Sequence, residues 1–201
     1  RNKRQCPWFA GAVPRPLPAD MCDEIQCRNF CTNVAPDFAG GATLCDDNKK
    51  RPCVCVCRER LETLCSNPPC GPGLEILEDC AVRHELWHVG THLDDGSCQN
   101  GEPSPYVDPD NDDECAAQAA GLACLFQEAR RCRGAANACG CVRMLKAHAS
   151  AQACDSHYGY DCPARDMAQC RRNREAVDRV LGRMEREHCP TGEEPVHVSP
   201  R

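Results

Sequence analysis

Two imidazoles four residues apart, with a carboxylate beside the first, make up the run His84-Glu85-Leu86-Trp87-His88. On a helix, positions i and i+4 share a face, so His84 and His88 can ligate one zinc ion together. The adjacent Glu85 is then a candidate general base for a zinc-bound water, which is the chemistry of metal-assisted hydrolysis. That chemistry needs a third protein ligand. The residues that follow, "VGTHLDD" (89–95), offer two: Asp94, and His92, which extends His84 and His88 into a helical stripe at steps of four.

These side chains need a helix to position them, and residues 74–93 ("LEILEDCAVRHELWHVGTHL") have the pattern of one, with Gly90 near its end. The run resembles the metzincin motif H-E-x-x-H-x-x-G-x-x-H. The resemblance implies His84, His88 and Asp94 as ligands, since some small bacterial relatives use aspartate in third place. Here Gly90 comes one residue early. Such peptidases also lay their substrate along an edge strand that precedes the motif, whereas the preceding residues here are a proline-glycine segment and a cysteine-rich head. Cys80 lies one turn before His84 and puts a disulfide on the same face. An ordinary amphipathic helix, packing through Leu86 and Trp87 with histidines at its border, accounts for the same letters. The expectation is therefore against an enzyme, with no cofactor required and zinc the one that the motif allows.

Twenty-one cysteines in 201 residues is the density of a secreted disulfide scaffold. With aromatics at 4%, an aliphatic core of any size is not expected, so disulfides at about 2–4 kcal/mol each must supply much of the stability. Residues 1–6 ("RNKRQC") contain no apolar signal core, so the chain reads as a mature, extracellular product. No stretch approaches the roughly 20 apolar residues of a membrane span. An odd cysteine count leaves at least one outside internal pairing, which suits a disulfide-linked homodimer. Charge is uneven: residues 1–58 carry 9 Lys/Arg against 6 Asp/Glu, net +3, and residues 59–201 carry 15 against 24, net −9. An acidic chain argues against nucleic acid as a partner.

The cysteines of the head are Cys6, Cys22, Cys27, Cys31, Cys45, Cys53, Cys55 and Cys57. "CRNFC" spaces two thiols one helical turn apart, and "CVCVC" puts alternate thiols on one face of a strand. Gly40-Gly41 suits a turn or bulge that brings a strand close to the helix. This pattern resembles the cysteine-stabilised αβ fold of defensins over residues 6–57. In its eight-cysteine form the resemblance implies Cys6–Cys57, Cys22–Cys45, Cys27–Cys53 and Cys31–Cys55. An alternative register uses Cys55 and Cys57 as the C-x-C pair, as in invertebrate defensins. Two departures stand: three residues separate Gly41 from Cys45, and the Cys6–Cys22 gap is long and proline-rich.

Beyond "CSNPPCGPG" (65–73) the sequence turns helical. Cys115, Ala119, Leu122, Phe126 and Ala129 form one apolar stripe. Residues 138–153 form a further helical stretch. Met167, Cys170, Val177, Leu181, Met184 and His188 keep the same rhythm over 163–189. "DPDNDDE" (108–114) opens like a calcium loop, but Asp113 replaces its glycine and Ala119 its closing glutamate. "CGC" (139–141) reads as two staples rather than a redox pair. The expected fold is thus a small disulfide-rich α+β domain (1–60), a Pro/Gly linker (61–73) and a mainly α-helical, disulfide-stapled domain (74–201). The expected function is that of a secreted effector holding an extracellular protein or membrane receptor, with Trp8, Phe9 and Tyr106 as contact candidates. A zinc peptidase and a disulfide-linked extracellular structural subunit are the alternatives.

Overall fold

The computed structural model describes residues 21–34, 40–46, 50–64, 71–95, 98, 112–153 and 164–189, with the side chains of 34, 91–95, 112–116, 151–153 and 164–170 outside the description. The chain is mostly helical, with a small two-stranded antiparallel sheet and seven disulfides among the described residues. No helix among these residues is long and apolar enough to cross a membrane. By mutual contact the chain divides into two compact units. The first is Arg1–Glu62 with Leu77–Cys124; the second is Thr63–Ile76 with Leu125–Arg201.

In the first unit, α1 (Glu24–Asn29) starts where Asp23 accepts hydrogen bonds from the Ile25 and Gln26 amides. It runs into a π-helical turn, Phe30–Val34. Strands β1 (Gly41–Asp46) and β2 (Arg51–Val56) pair with Gly41 opposite Val56 and Leu44 opposite Cys53. The short α2 (Arg58–Glu62) follows and buries Leu61. The long α3 (Gly73–Asp95) lies on the sheet, and Cys80–Cys124 ties it to α4 (Asp112–Glu128).

Strand alternation explains the layering. Cys53, Cys55 and Cys57 turn to the α1 side and bond Cys22, Cys27 and Cys31 in parallel order. Phe30, Ala42 and Leu44 pack beside them. Val54 and Val56 turn the other way, onto Val82, Leu86 and Val89 of α3. The sheet is covered on both faces, which is why Pro52 through Cys55 are all buried.

One sequence expectation needs correction. The eight-cysteine defensin pairing is not formed: Cys22 bonds Cys53 rather than Cys45, Cys27 bonds Cys55 rather than Cys53, and Cys31 bonds Cys57 rather than Cys55. One C-x3-C step rises about 6 Å along a helix and one C-x-C step about 6.6 Å along a strand, so adjacent steps match in either register; the disulfides formed are those of the alternative register with Cys55 and Cys57. Cys45 faces Pro52 across the sheet, and its partner is Cys98, outside the head. Val82, Leu86 and Val89 of α3 pack against Val54 and Val56 of the sheet. Cys6 lies outside the described residues. The fourteen cysteines whose side chains are described are all paired, so the odd one is among the other seven.

The second unit contains a 3₁₀ turn (Ala129–Gly134), α5 (Ala138–Ala153), α6 (Ala164–Val177), a π turn (Asp178–Gly182) and α7 (Arg183–His188). Asn137 caps α5 by accepting from the Gly140 amide at 2.8 Å. Cys132–Cys141 and Cys139–Cys189 staple the bundle around Val142, Leu145, Val177 and Leu181, all buried. Glu185 accepts from Lys146 Nζ at 2.8 Å and Arg143 Nε at 3.2 Å, joining α7 to α5. Burial pushes the Glu185 carboxyl up. The hydrogen bonds and charges of Lys146 and Arg143 together outweigh that and hold it below its ordinary 4.5. A folded-state pKa below the unfolded one stabilises above pH 4.5, and this contribution disappears as pH falls through the folded value. Urea midpoints measured against pH are expected to show that Glu185→Gln has lost this share of the acid dependence below pH 4.5.

Candidate metal centre

Position along α3 decides which way each side chain of the 84–88 run faces. Val82, Glu85, Leu86 and Val89 fall at i, i+3, i+4 and i+7, the stripe that meets the sheet. Glu85 is therefore a sheet-facing residue, 7% exposed. The Thr43 hydroxyl on β1 donates to the Glu85 backbone carbonyl at 2.8 Å and stands 3.1 Å from its Oε2. Glycine at 41 makes the room: a Cβ there would lie 3.3 Å from Glu85 Cγ and 2.9 Å from the Cys55 carbonyl oxygen. Packing by Leu86 agrees with the amphipathic reading. Glu85 joining that stripe was not expected, although small residues at 41 and 43, on one face of β1, are the sequence signal for it.

The histidines flank this stripe. Side chains of His84 and Glu85 are 12% and 10% exposed, and His84 Nε2 stands 3.9 Å from Glu85 Oε1. The His84 and His88 rings meet edge to face, with centroids 5.2 Å apart. One ligand atom from each of His84, Glu85 and His88 lies within 4.8 Å of the others. Two imidazoles and a carboxylate are a donor set of the type zinc takes, so the residues fit the metal in kind. The Thr43 hydroxyl and the sheet hold the Glu85 carboxylate beside the two imidazoles. His92 and Asp94 lie on the last turn of α3, and their side chains are outside the described residues, as are Trp8, Phe9, Tyr106 and the 108–111 part of the acidic loop.

A second convergence, Cys27, Cys31 and Cys55, has other chemistry. The Cys31 and Cys55 sulfurs approach to 3.6 Å, yet each is already bonded, to Cys57 and Cys27. Disulfide sulfurs are not thiolates, so this is a packing contact between two staples rather than a metal site.

One surface residue went unremarked in the sequence. Ile25 on α1 is 68% exposed, the sole large hydrophobic residue so exposed among the described residues. It precedes Cys27 by two positions, which turns it away from the disulfide face. No family model matches the chain, and no curated protein or solved structure matches it.

Proposed function

We propose that the chain is a secreted binding protein whose first unit, a head of the defensin type, holds an extracellular target. The observation that carries this reading is the triple attachment of residues 22–31 to residues 53–57, through Cys22–Cys53, Cys27–Cys55 and Cys31–Cys57. So pinned a surface loses little entropy when it docks. Seven disulfides are consistent with an oxidising, extracellular setting. Ile25 projects from the pinned helix and is the natural anchor, because an apolar side chain exposed in the free protein gains by being buried on docking. Ile25→Asp tests it without harming the helix, since a carboxylate is favourable in the first turn. A target retained from extracellular fluid by the immobilised wild-type protein is expected to bind the variant about tenfold more weakly or worse. Equal affinity for both proteins overturns the role given to Ile25. Covalent ladders on a non-reducing gel would favour a structural subunit over a discrete binder.

The donor trio supports a second reading, zinc held without catalysis by His84, Glu85 and His88. On that reading the dialysed wild-type protein retains about one zinc per chain and His88→Ala none, by elemental analysis. Peptide hydrolysis lost in Glu85→Gln would instead restore the peptidase.

A further inference from the structure

We infer that the second unit carries its own ligand site, a groove that takes a single-chain anionic amphiphile such as a long-chain carboxylate. Its basis is independent of the head. Residues 125–189 hold twelve Lys/Arg against eight Asp/Glu, net +4, within a chain of net −6. Part of that excess converges. Phe126, Arg130 and Arg133, at i, i+4 and i+7, line one side of a groove of about 400 Å³. Arg179 and Arg183, one turn apart across the π turn, line the other.

Four guanidinium groups around one groove repel one another, and a single carboxylate relieves part of that repulsion. Glu187 lies 2.8 Å from Arg183 and 4.0 Å from Arg133. Among the described residues Arg130 and Arg179 have no ion pair. Between the arginines the lining is apolar: Met184 is 6% exposed, and Phe126 and Val180 are half-buried. The π turn matters here, because its extra residue per turn shifts the face that carries Arg179 and Val180 relative to α6, and such turns are common at functional sites.

Wall and floor together select the ligand. A simple inorganic anion satisfies the guanidinium groups but leaves the floor wet. A neutral lipid covers the floor but leaves the arginines without a counter-charge. An alkyl chain ending in a carboxylate does both, through bidentate Arg–carboxylate hydrogen bonds and apolar burial. The volume is within the range of small-molecule sites.

Titration calorimetry of the full chain with dodecanoate, below its micelle concentration, tests this. One saturable site is expected, weakened about tenfold or more in Arg130→Gln/Arg179→Gln, which removes no ion pair among the described residues. Arg171→Gln/Arg174→Gln, exposed on α6 and outside the groove, is expected to bind like the wild type. No dodecanoate binding by the wild type overturns the inference, as does equal binding by the groove variant. Dodecanol or acetate binding as tightly as dodecanoate overturns it too, by removing the need for one half of the ligand. So does heparin binding with no dodecanoate signal, which makes the arginines a polyanion patch.

Discussion

Replacing Cys80 and Cys124 together by alanine is expected to lower the stability of the first unit by about 4 kcal/mol, from the loop-closure entropy of a 44-residue separation. That is a large part of the roughly 5–15 kcal/mol that holds a typical domain. Both cysteines are buried, at 2% and 1% exposure, and alanine keeps their surroundings apolar, so the chain-entropy effect dominates over a lost contact. The comparison is Cys132→Ala/Cys141→Ala in the second unit. Its separation is 9 residues, for which the same relation gives about 2.5 kcal/mol. Native-state amide exchange reads each unit separately, at residues 77–89 for the first variant and 141–149 for the second. If the short loop costs more than the long one, loop closure is not what these disulfides contribute.

Gly41→Ala is expected to cost about 1–3 kcal/mol, as overpacking does in a filled interior. The added Cβ would stand 2.9 Å from the Cys55 carbonyl oxygen, which is backbone in the partner strand and cannot swing aside. It would also press on Glu85 at 3.3 Å, so the shift is passed to α3. Gly90→Ala is the control with the opposite sign. Gly90 is an exposed helical position with open space around its missing Cβ, and alanine there is expected to stabilise by about 0.5–1 kcal/mol. Thermal melts of the two variants are thus expected to move in opposite directions. A melting temperature unchanged in Gly41→Ala would mean that α3 does not press on β1 at Glu85.

The longer helices of the body were legible in the sequence. The expected 138–153 coincides with α5, and 163–189 covers α6, the π turn and α7. Cysteine partners are a different matter. A C-x3-C helix and a C-x-C strand announce that they join, but not in which of two registers, and nothing local to Cys45 points to Cys98. Glu85 was read by its neighbours in sequence, two histidines, whereas its neighbours in space also include Thr43 and Gly41. The arginine groove was hidden by summing charge over too long a span. A net −9 for residues 59–201 averages a strongly acidic stretch before 125 with the basic helices after it.

The Cys45–Cys98 bond also bears on how the chain is made. At synthesis rates of about 5–20 residues per second, Cys98 follows Cys45 by about 3–10 s for their 53-residue separation. The quickest protein disulfides form on that timescale. Every other described thiol of the head, from Cys22 to Cys57, therefore emerges before the right partner of Cys45 does, with Cys53 only one residue from its cross-strand neighbour. A bond made too early can be undone only by attack of another thiolate. Biogenesis of the nascent chain thus turns on keeping one thiol waiting, and a disulfide isomerase is the catalyst suited to correct it when it does not wait.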